Sequence, residues 1–405
     1  MTSSHSEGFK DTSADSSYTM SEYQILDYKV QQYRVLKWVA AAYGMQVVAR
    51  WLLERRKAAE RAEKASGGDS TTNADLPEVH ASASGLKAFG CAFAADGIED
   101  LRRACGGHGY LMSSGIAPLE ADFKGPNATA EGDAVVLLLQ TARFLVKSVE
   151  TARSGNVAEL PGMTACFAPL ADPAYEPVTH GKPPPVLDPA VFLENVPEAR
   201  ARLVALFRYR AVVLCTAAGD ALRESTRSLG SVDGGRMASA RALNAASTAF
   251  VKYFMLSKFV ESVDAVDSTA ADGCGPVLHN LVLMSGMSDL LDGEGWLGLI
   301  TTAEASCVDK VVSEVCKALR PETIGLVDAF EIPDRILNSA LGREDGRVYE
   351  ALFAAARKSS LNIDQATGKP HVVPPFFDAV KQYLDPAFLD GGNVTPKTTA
   401  AVSKL

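Results

Sequence analysis

Glu131 is the acidic side chain whose setting in this sequence could support chemistry. It stands in the run 129–133 (Thr-Ala-Glu-Gly-Asp), directly before apolar residues that recur at helical spacing. A carboxylate there could act as a general base if an apolar pocket surrounded it and a substrate proton lay within reach. It could equally be an ordinary acid in the first turn of a helix, where the helix dipole stabilises negative charge. The spacing leaves both interpretations open.

A glycine-rich stretch precedes Glu131 and could let the backbone approach a ligand closely. It consists of Gly106, Gly107, His108, Gly109 and Tyr110. The same glycines could simply end a helix. The pattern departs from G-x-G-x-x-G at Met112 and follows a helical pattern, which excludes a dinucleotide fingerprint and a P-loop. By default, His108 would be a hydrogen-bonded loop residue and Tyr110 a packing residue.

The composition argues against several classes of function. The 405 residues carry a formal net charge of −9 and no basic face, so nucleic acid is not expected as a partner. No apolar run is long enough to cross a membrane. The seven cysteines are scattered without a C-x-x-C pair, and no histidines show metal-ligand spacing. We therefore expect reduced thiols and no metal site.

Helices must position both candidate groups, because apolar residues recur three to four apart along most of the chain. Residues 21–24 (Ser-Glu-Tyr-Gln) have the form of a capping box before one long helix. A second helix follows Leu76-Pro77 and reaches Cys105, with a face of small residues, and a third covers 131–152. Further helices are predicted at 196–229, 236–265, 276–291, 302–319, 333–341, 346–358 and 375–384. With no convincing strand, the fold class is all-α, in two helical-bundle units.

Shifts in composition suggest how the chain is divided. We expect a disordered head at 1–20, a helical bundle at 21–154, a proline-rich linker at 155–189, a second helical unit at 190–388 and a flexible tail at 389–405. The final three residues, Ser403, Lys404 and Leu405, form the peroxisomal targeting tripeptide. This ending predicts import into the peroxisome through the import receptor.

Several motifs in order resemble the peroxisomal acyl-CoA oxidases. They are the runs 25–28 and 31–33, 102–110 (Arg-Arg-Ala-Cys-Gly-Gly-His-Gly-Tyr), 131–133 (Glu-Gly-Asp), 139–143 (Leu-Gln-Thr-Ala-Arg), 326–330 (Leu-Val-Asp-Ala-Phe) and 341–350 (Leu-Gly-Arg-Glu-Asp-Gly-Arg-Val-Tyr-Glu). The resemblance spans roughly residue 21 to the end. It implies that Glu131 takes the α-proton of a fatty acyl-CoA while FAD accepts the β-hydride, yielding trans-2-enoyl-CoA and hydrogen peroxide. It also implies that the loop Gly106–Tyr110 borders FAD and that the protein is a homodimer.

Two departures from the family pattern lead to an alternative. Family members carry a helical and a β-rich domain ahead of the part matched here, so we expect weak or no turnover from this chain alone. The family usually has an aromatic residue before the glutamate and Asn-Thr after Glu-Gly-Asp, where this chain has Ala130, Ala134 and Val135. The alternative is a catalytically impaired oxidase-like protein that dimerises with, or assembles onto, a complete oxidase.

Overall fold

The computed structural model describes residues 23–65, 75–125, 129–183, 188–267, 273–293 and 299–384. Within these ranges the regular elements are helical, and an isolated antiparallel bridge joins Ile363 and Pro370. The all-α prediction is therefore confirmed. None of the described helices is apolar over a stretch long enough to cross a membrane. The predicted head, the tail and the terminal tripeptide lie outside the described residues.

The described residues contain fourteen α-helices, numbered here in chain order. They are α1 (Lys29–Ala65), α2 (Leu76–Ala104), α3 (Ile116–Lys124), α4 (Ala134–Arg153), α5 (Pro177–His180), α6 (Pro189–Glu194), α7 (Val196–Leu229), α8 (Val232–Asp267), α9 (Gly275–Asp292), α10 (Thr302–Leu319), α11 (Thr323–Asp328), α12 (Asp334–Leu337), α13 (Val348–Lys358) and α14 (Phe377–Val380). Short 3-10 helices lie at Ile25–Asp27, Gly106–Tyr110, Met112–Ser114, Val157–Glu159, Gly162–Ala171 and Lys381–Leu384.

The first long helix begins later than the predicted capping box. A 3-10 turn at Ile25–Asp27 precedes α1, and Ser21 lies outside the described residues. The turn is held by Arg320, which donates to Asp27 at 2.8 Å and to Gln24 at 2.7 Å. A contact between residues 293 positions apart thus fixes the entry to α1, which local sequence patterns do not reveal.

Helix α2 packs through its small residues, as predicted. Ala81, Ser82, Ser84 and Gly85 are buried. A Cβ at Gly85 would lie 2.8 Å from Cγ2 of Val251 in α8 and 3.0 Å from Oγ1 of Thr141, so a larger residue there would force these side chains to shift. Small side chains on this face therefore bring α2 against α8 and set the position of the glycine-rich loop that follows α2.

The third helix starts three residues later than predicted. Asp133 is its N-cap, and its carboxylate accepts a hydrogen bond from the backbone of Val135 at 2.9 Å. Glu131 and Gly132 have φ angles of +66° and +122°, which no α-helix accommodates. Glu131 therefore stands in a turn before α4, and the interpretation as a first-turn helix acid is wrong.

The hydrophobic core spans both predicted helical units. Leu36 of α1 is buried in one cluster with Leu281 and Met284 of α9. In a second cluster, Phe167 from the proline-rich stretch packs 5.8 Å from the ring of Phe250 in α8. The stretch 155–183 therefore contributes buried side chains to the core, while the division of the chain into domains stays a prediction.

Candidate functional site

The turn that carries Glu131 has an unusual backbone conformation for a non-glycine residue. Left-handed φ angles cost about 1–2 kcal/mol for residues with a Cβ, and such strain concentrates at functional sites. The amide of Gly132 donates to Thr129 at 3.1 Å, and its carbonyl accepts from the ammonium of Lys87 at 2.7 Å. The surrounding structure therefore holds Glu131 in this conformation, with its side chain exposed.

Apolar side chains lie exposed directly after Glu131. Val135 and Val136, in the first turn of α4, are 53% and 54% exposed. An apolar molecule or polypeptide that covered them would also remove water from around the nearby carboxylate. Because burial disfavours the charged form of a carboxylate, covering this surface would make Glu131 a stronger base.

The glycine-rich loop forms a 3-10 helix, Gly106–Tyr110, in which the glycines have two different roles. Gly106 has a φ of +59° and ends α2, and a Cβ at Gly106 or Gly107 would meet no atom within 4 Å. Gly109 is buried, and a Cβ there would overlap the carbonyl oxygen of Arg102. The first two glycines therefore present open backbone that a ligand could approach, while the third is required for packing.

Arg102 fixes this loop, and sequence reasoning did not assign it a role. Its Nε donates to the carbonyl of Gly109 at 3.0 Å, and its guanidinium lies 5.1 Å from the ring centroid of Tyr110. It also pairs with Glu120 of α3, and this hydrogen bond lowers the pKa of that carboxyl to about 2. His108 is half-buried in the same loop. Arg102 is the first residue of the family-like run 102–110, and this position in the sequence could have indicated its role in the loop.

The structure does not bring Glu131 and the glycine-rich loop together. The Glu131 turn contacts α2 at Lys87, whereas the loop begins after Ala104. At 1.5 Å per helical residue, about 27 Å of α2 separates Lys87 from Cys105. Helix α3 follows the loop, and its Glu120 pairs with Arg102 near the end of α2. The two candidate groups therefore belong to separate surface regions of the described chain.

The segment between the family-like runs 326–330 and 341–350 packs against the residues that follow the glycine-rich loop. The amide of Ala340 donates to the carbonyl of Ser113 at 2.8 Å. A Cβ at Gly115 would lie 3.0 Å from the carbonyl oxygen of Leu337, and Gly115 has a φ of +72°. The residues that follow the family-like run 102–110 are thus in contact with the residues that precede the run 341–350, far away in sequence.

The family resemblance implies FAD, and it assigns the glycine-rich loop to the border of that cofactor. The open backbone of Gly106 and Gly107 suits close approach by a cofactor. Neither of two cavities, of about 400 and 320 Å³, is lined by Glu131 or by the glycine-rich loop. The open backbone at Gly106 and Gly107 is compatible with a cofactor edge lying against it, and neither cavity encloses it. No group of three potential metal ligands occurs among the described residues.

Two family models match this chain. The acyl-CoA oxidase C-alpha1 domain matches residues 9–146, and the acyl-CoA oxidase model matches residues 200–384. Peroxisomal acyl-coenzyme A oxidase 1 of Rattus norvegicus is 36% identical over 350 residues, covering 84% of this chain and 49% of the relative. The Arabidopsis thaliana protein of the same description is 34% identical over 372 residues, covering 90% and 50%. The chain spans about half the length of the curated relatives it matches.

Solved structures show the same fold. Arabidopsis thaliana acyl-CoA oxidase 1 superimposes with a TM-score of 0.75 at 31% identity, covering 93% of this chain and 53% of that one. Acyl-CoA oxidase-1 of Caenorhabditis elegans, complexed with FAD and ATP, gives a TM-score of 0.76 at 26% identity, covering 94% and 52%. The helical arrangement described above is thus that of the corresponding half of these structures.

Proposed function

Since the chain belongs to the acyl-CoA oxidase family, we propose that it supplies the helical half of an FAD-dependent active site that oxidises fatty acyl-CoA. The observation that carries this proposal is Glu131, a carboxylate held in a left-handed turn beside exposed apolar side chains. A base at the rim of an apolar surface suits proton removal from a substrate that covers it.

In this proposal, Glu131 removes the α-proton of the acyl-CoA thioester. A bound FAD would supply the acceptor for the β-hydride, so that trans-2-enoyl-CoA and, with oxygen, hydrogen peroxide are formed. Lys87 positions the base by binding the carbonyl next to it. Arg102 holds the loop Gly106–Tyr110 so that open backbone faces the cofactor.

The cellular setting is part of the same proposal. Several relatives are named as peroxisomal oxidases, and this chain ends in Ser403-Lys404-Leu405, which the import receptor would bind. We assign the chain to the peroxisome. We also infer a dimer, with a second copy or with a complete oxidase, as the assembly that encloses the cofactor.

One observation favours the alternative, an oxidase-like binding partner without turnover of its own. Glu131 is exposed and lines neither of the two cavities described above, so its side chain is open to solvent. An open apolar rim is also what a docking surface would offer to a complete oxidase.

An absorption spectrum of the purified chain, with and without added FAD, tests the proposal and its alternative together. A retained flavin spectrum that is bleached by an acyl-CoA under nitrogen supports the oxidase function. Glu131→Gln should then abolish bleaching and peroxide formation without loss of flavin, whereas Glu194→Gln, an exposed glutamate on α6, should change neither. A folded, colourless chain that acquires flavin only with a complete oxidase would overturn independent activity and support the alternative.

A further inference from the structure

A second region of the molecule has the features of a ligand site, and it lies away from Glu131 and from the glycine-rich loop. A cavity of about 400 Å³ lies between the 3-10 helix Gly162–Ala171, helix α5 and helix α7. Most of its lining comes from residues 165–181, which fall between the two stretches that the family models match. Its volume is within the range of small-molecule sites.

One wall of the cavity carries an arginine that the protein does not neutralise. Arg208 of α7 lines the cavity and forms no ion pair with a carboxylate anywhere in the described part of the chain. Cys166, in the same lining, adds no negative charge, because burial raises the pKa of its thiol to about 12. The guanidinium of Arg208, which is exposed to solvent, is therefore a positive group that a ligand in the cavity can reach.

His180 of α5 adds a hydrogen-bond donor. Its Nδ1 accepts a hydrogen bond from the backbone amide of Glu176 at 2.8 Å. In the neutral ring the proton must then be on Nε2, so the remaining ring nitrogen is a donor. The short helix places this ring in the cavity lining, with its centroid 5.9 Å from that of Tyr175.

Tyr175 adds a second donor, and Gly181 makes room for it. The hydroxyl of Tyr175 would lie 2.7 Å from a Cβ at position 181, so only glycine fits beneath it. This hydroxyl has no hydrogen-bond partner among the described residues. The neighbouring Tyr209 differs, since its hydroxyl already donates to the carbonyl of Val178 at 3.2 Å. Thus Arg208, His180 and Tyr175 are the groups left to bind a ligand.

The rest of the lining is apolar. Ala168, Pro169 and Val212 contribute hydrocarbon surface to the same cavity. A ligand that matches this lining has an anionic head for the arginine and the two donors, and an apolar body for the hydrocarbon surface. An inorganic anion would leave the apolar part of the lining in contact with water. A neutral apolar molecule would give the guanidinium of Arg208 no counter-charge.

We propose that this cavity binds a small organic anion with an apolar body, with Arg208 as the main contact of its anionic head. A medium-chain carboxylate is the simplest molecule of this class. The site is separate from the proposed oxidase chemistry, so its test needs neither flavin nor turnover.

Calorimetric titration of the purified full chain with octanoate, 1-octanol and inorganic phosphate tests the proposal. We expect octanoate to bind more tightly than either of the other probes. Loss of a charge-assisted hydrogen bond should weaken octanoate binding about tenfold or more in Arg208→Gln. Arg208→Lys should bind with intermediate affinity, because it keeps the charge and loses the planar fork.

Two further variants control for folding and for nonspecific charge effects. Tyr175→Phe removes one donor and should weaken octanoate binding by a smaller factor. Arg241→Gln removes an exposed arginine of α8 outside the cavity and should leave binding unchanged. Equal affinity for octanoate and octanol, equal affinity for octanoate and phosphate, unchanged binding in Arg208→Gln, or no binding of octanoate would each overturn the proposal.

Discussion

The ammonium of Lys87 on α2 donates a 2.7 Å hydrogen bond to the carbonyl of Gly132, the residue that follows Glu131. The two residues are 45 positions apart in sequence. This bond ties a strained turn to a helix that is itself packed against α8. The orientation of the candidate base therefore depends on a contact that lies outside its own segment.

Removing this contact should affect activity more than stability. In a complete oxidase assembled with this chain, Lys87→Met keeps the hydrocarbon stem and loses the hydrogen bond, so we expect about tenfold lower kcat through misplacement of Glu131. Amide exchange at Gly132 and Asp133 should accelerate. Lys57→Met, on the exposed surface of α1, is the matched control. Full activity of Lys87→Met would exclude a positioning role.

The left-handed conformation at Glu131 predicts how the stability of the protein depends on the residue at this position. Glu131→Gly and Glu131→Ala both remove the carboxylate, but only glycine adopts a φ of +66° without strain. We expect Glu131→Gly to be more stable than Glu131→Ala by about 1 kcal/mol in urea unfolding. Equal stability of the two variants would show that the turn relaxes without cost.

The two kinds of glycine in the loop make a matched pair of substitutions. Gly107→Ala should leave the free energy of unfolding unchanged, because its Cβ would meet open space. If flavin lies against this backbone, Gly107→Ala should lower FAD retention in the assembled oxidase. Gly109→Ala should destabilise the fold by about 1–3 kcal/mol, because its Cβ would overlap Arg102. Undiminished FAD retention in Gly107→Ala would contradict the assignment of the loop.

Asp100 of α2 predicts a pH dependence of stability. Burial by itself would raise the pKa of Asp100, but hydrogen bonds from Trp38 at 2.8 Å and Arg34 at 2.6 Å hold it below its usual value. A carboxyl with a lowered folded-state pKa stabilises the protein above its unfolded-state pKa of about 4, and this contribution is lost as the pH falls further.

Asp100→Asn should therefore lose about 1 kcal/mol at neutral pH and show a shallower decline in stability between about pH 5 and pH 3. Urea unfolding across this range measures both effects. Asp96→Asn, one turn earlier and exposed, controls for the loss of one negative charge. If the free energy of unfolding of Asp100→Asn changed with pH in parallel to that of the unaltered chain, the ionisation of Asp100 would not contribute to the pH dependence.

Glu78 holds the 3-10 helix Gly162–Ala171 against α2. Its buried carboxylate accepts from the amide of Met163 at 2.7 Å and from Arg55 at 2.6 Å. Glu78→Ala should cost about 3 kcal/mol, because a buried amide and a charged partner lose their acceptor together. Glu60→Ala, which removes only an exposed helical pair with Arg56, should cost less than about 0.5 kcal/mol. Similar losses in both would contradict the anchoring role.

Sequence alone determined the features of this protein that depend on local periodicity. Helices at Val196–Leu229 and Thr302–Leu319 begin and end where the apolar spacing predicts, because backbone hydrogen bonds and buried stripes repeat within one or two turns. The family, too, could be predicted, since its motifs are contiguous runs. The small-residue face of α2 was likewise visible before its partner on α8 was known.

Only the tertiary structure decided where those groups lie in space. The positive φ of Glu131, the distance along α2 between that turn and Gly106–Tyr110, and the packing of Phe167 into the core depend on contacts between distant segments. The cavity beside Arg208 also depends on contacts between distant segments. Its hydrogen-bond donors come from α5, from α7 and from the chain before α5. Helical spacing fixes which residues share one face of one helix, and long-range packing decides which faces meet.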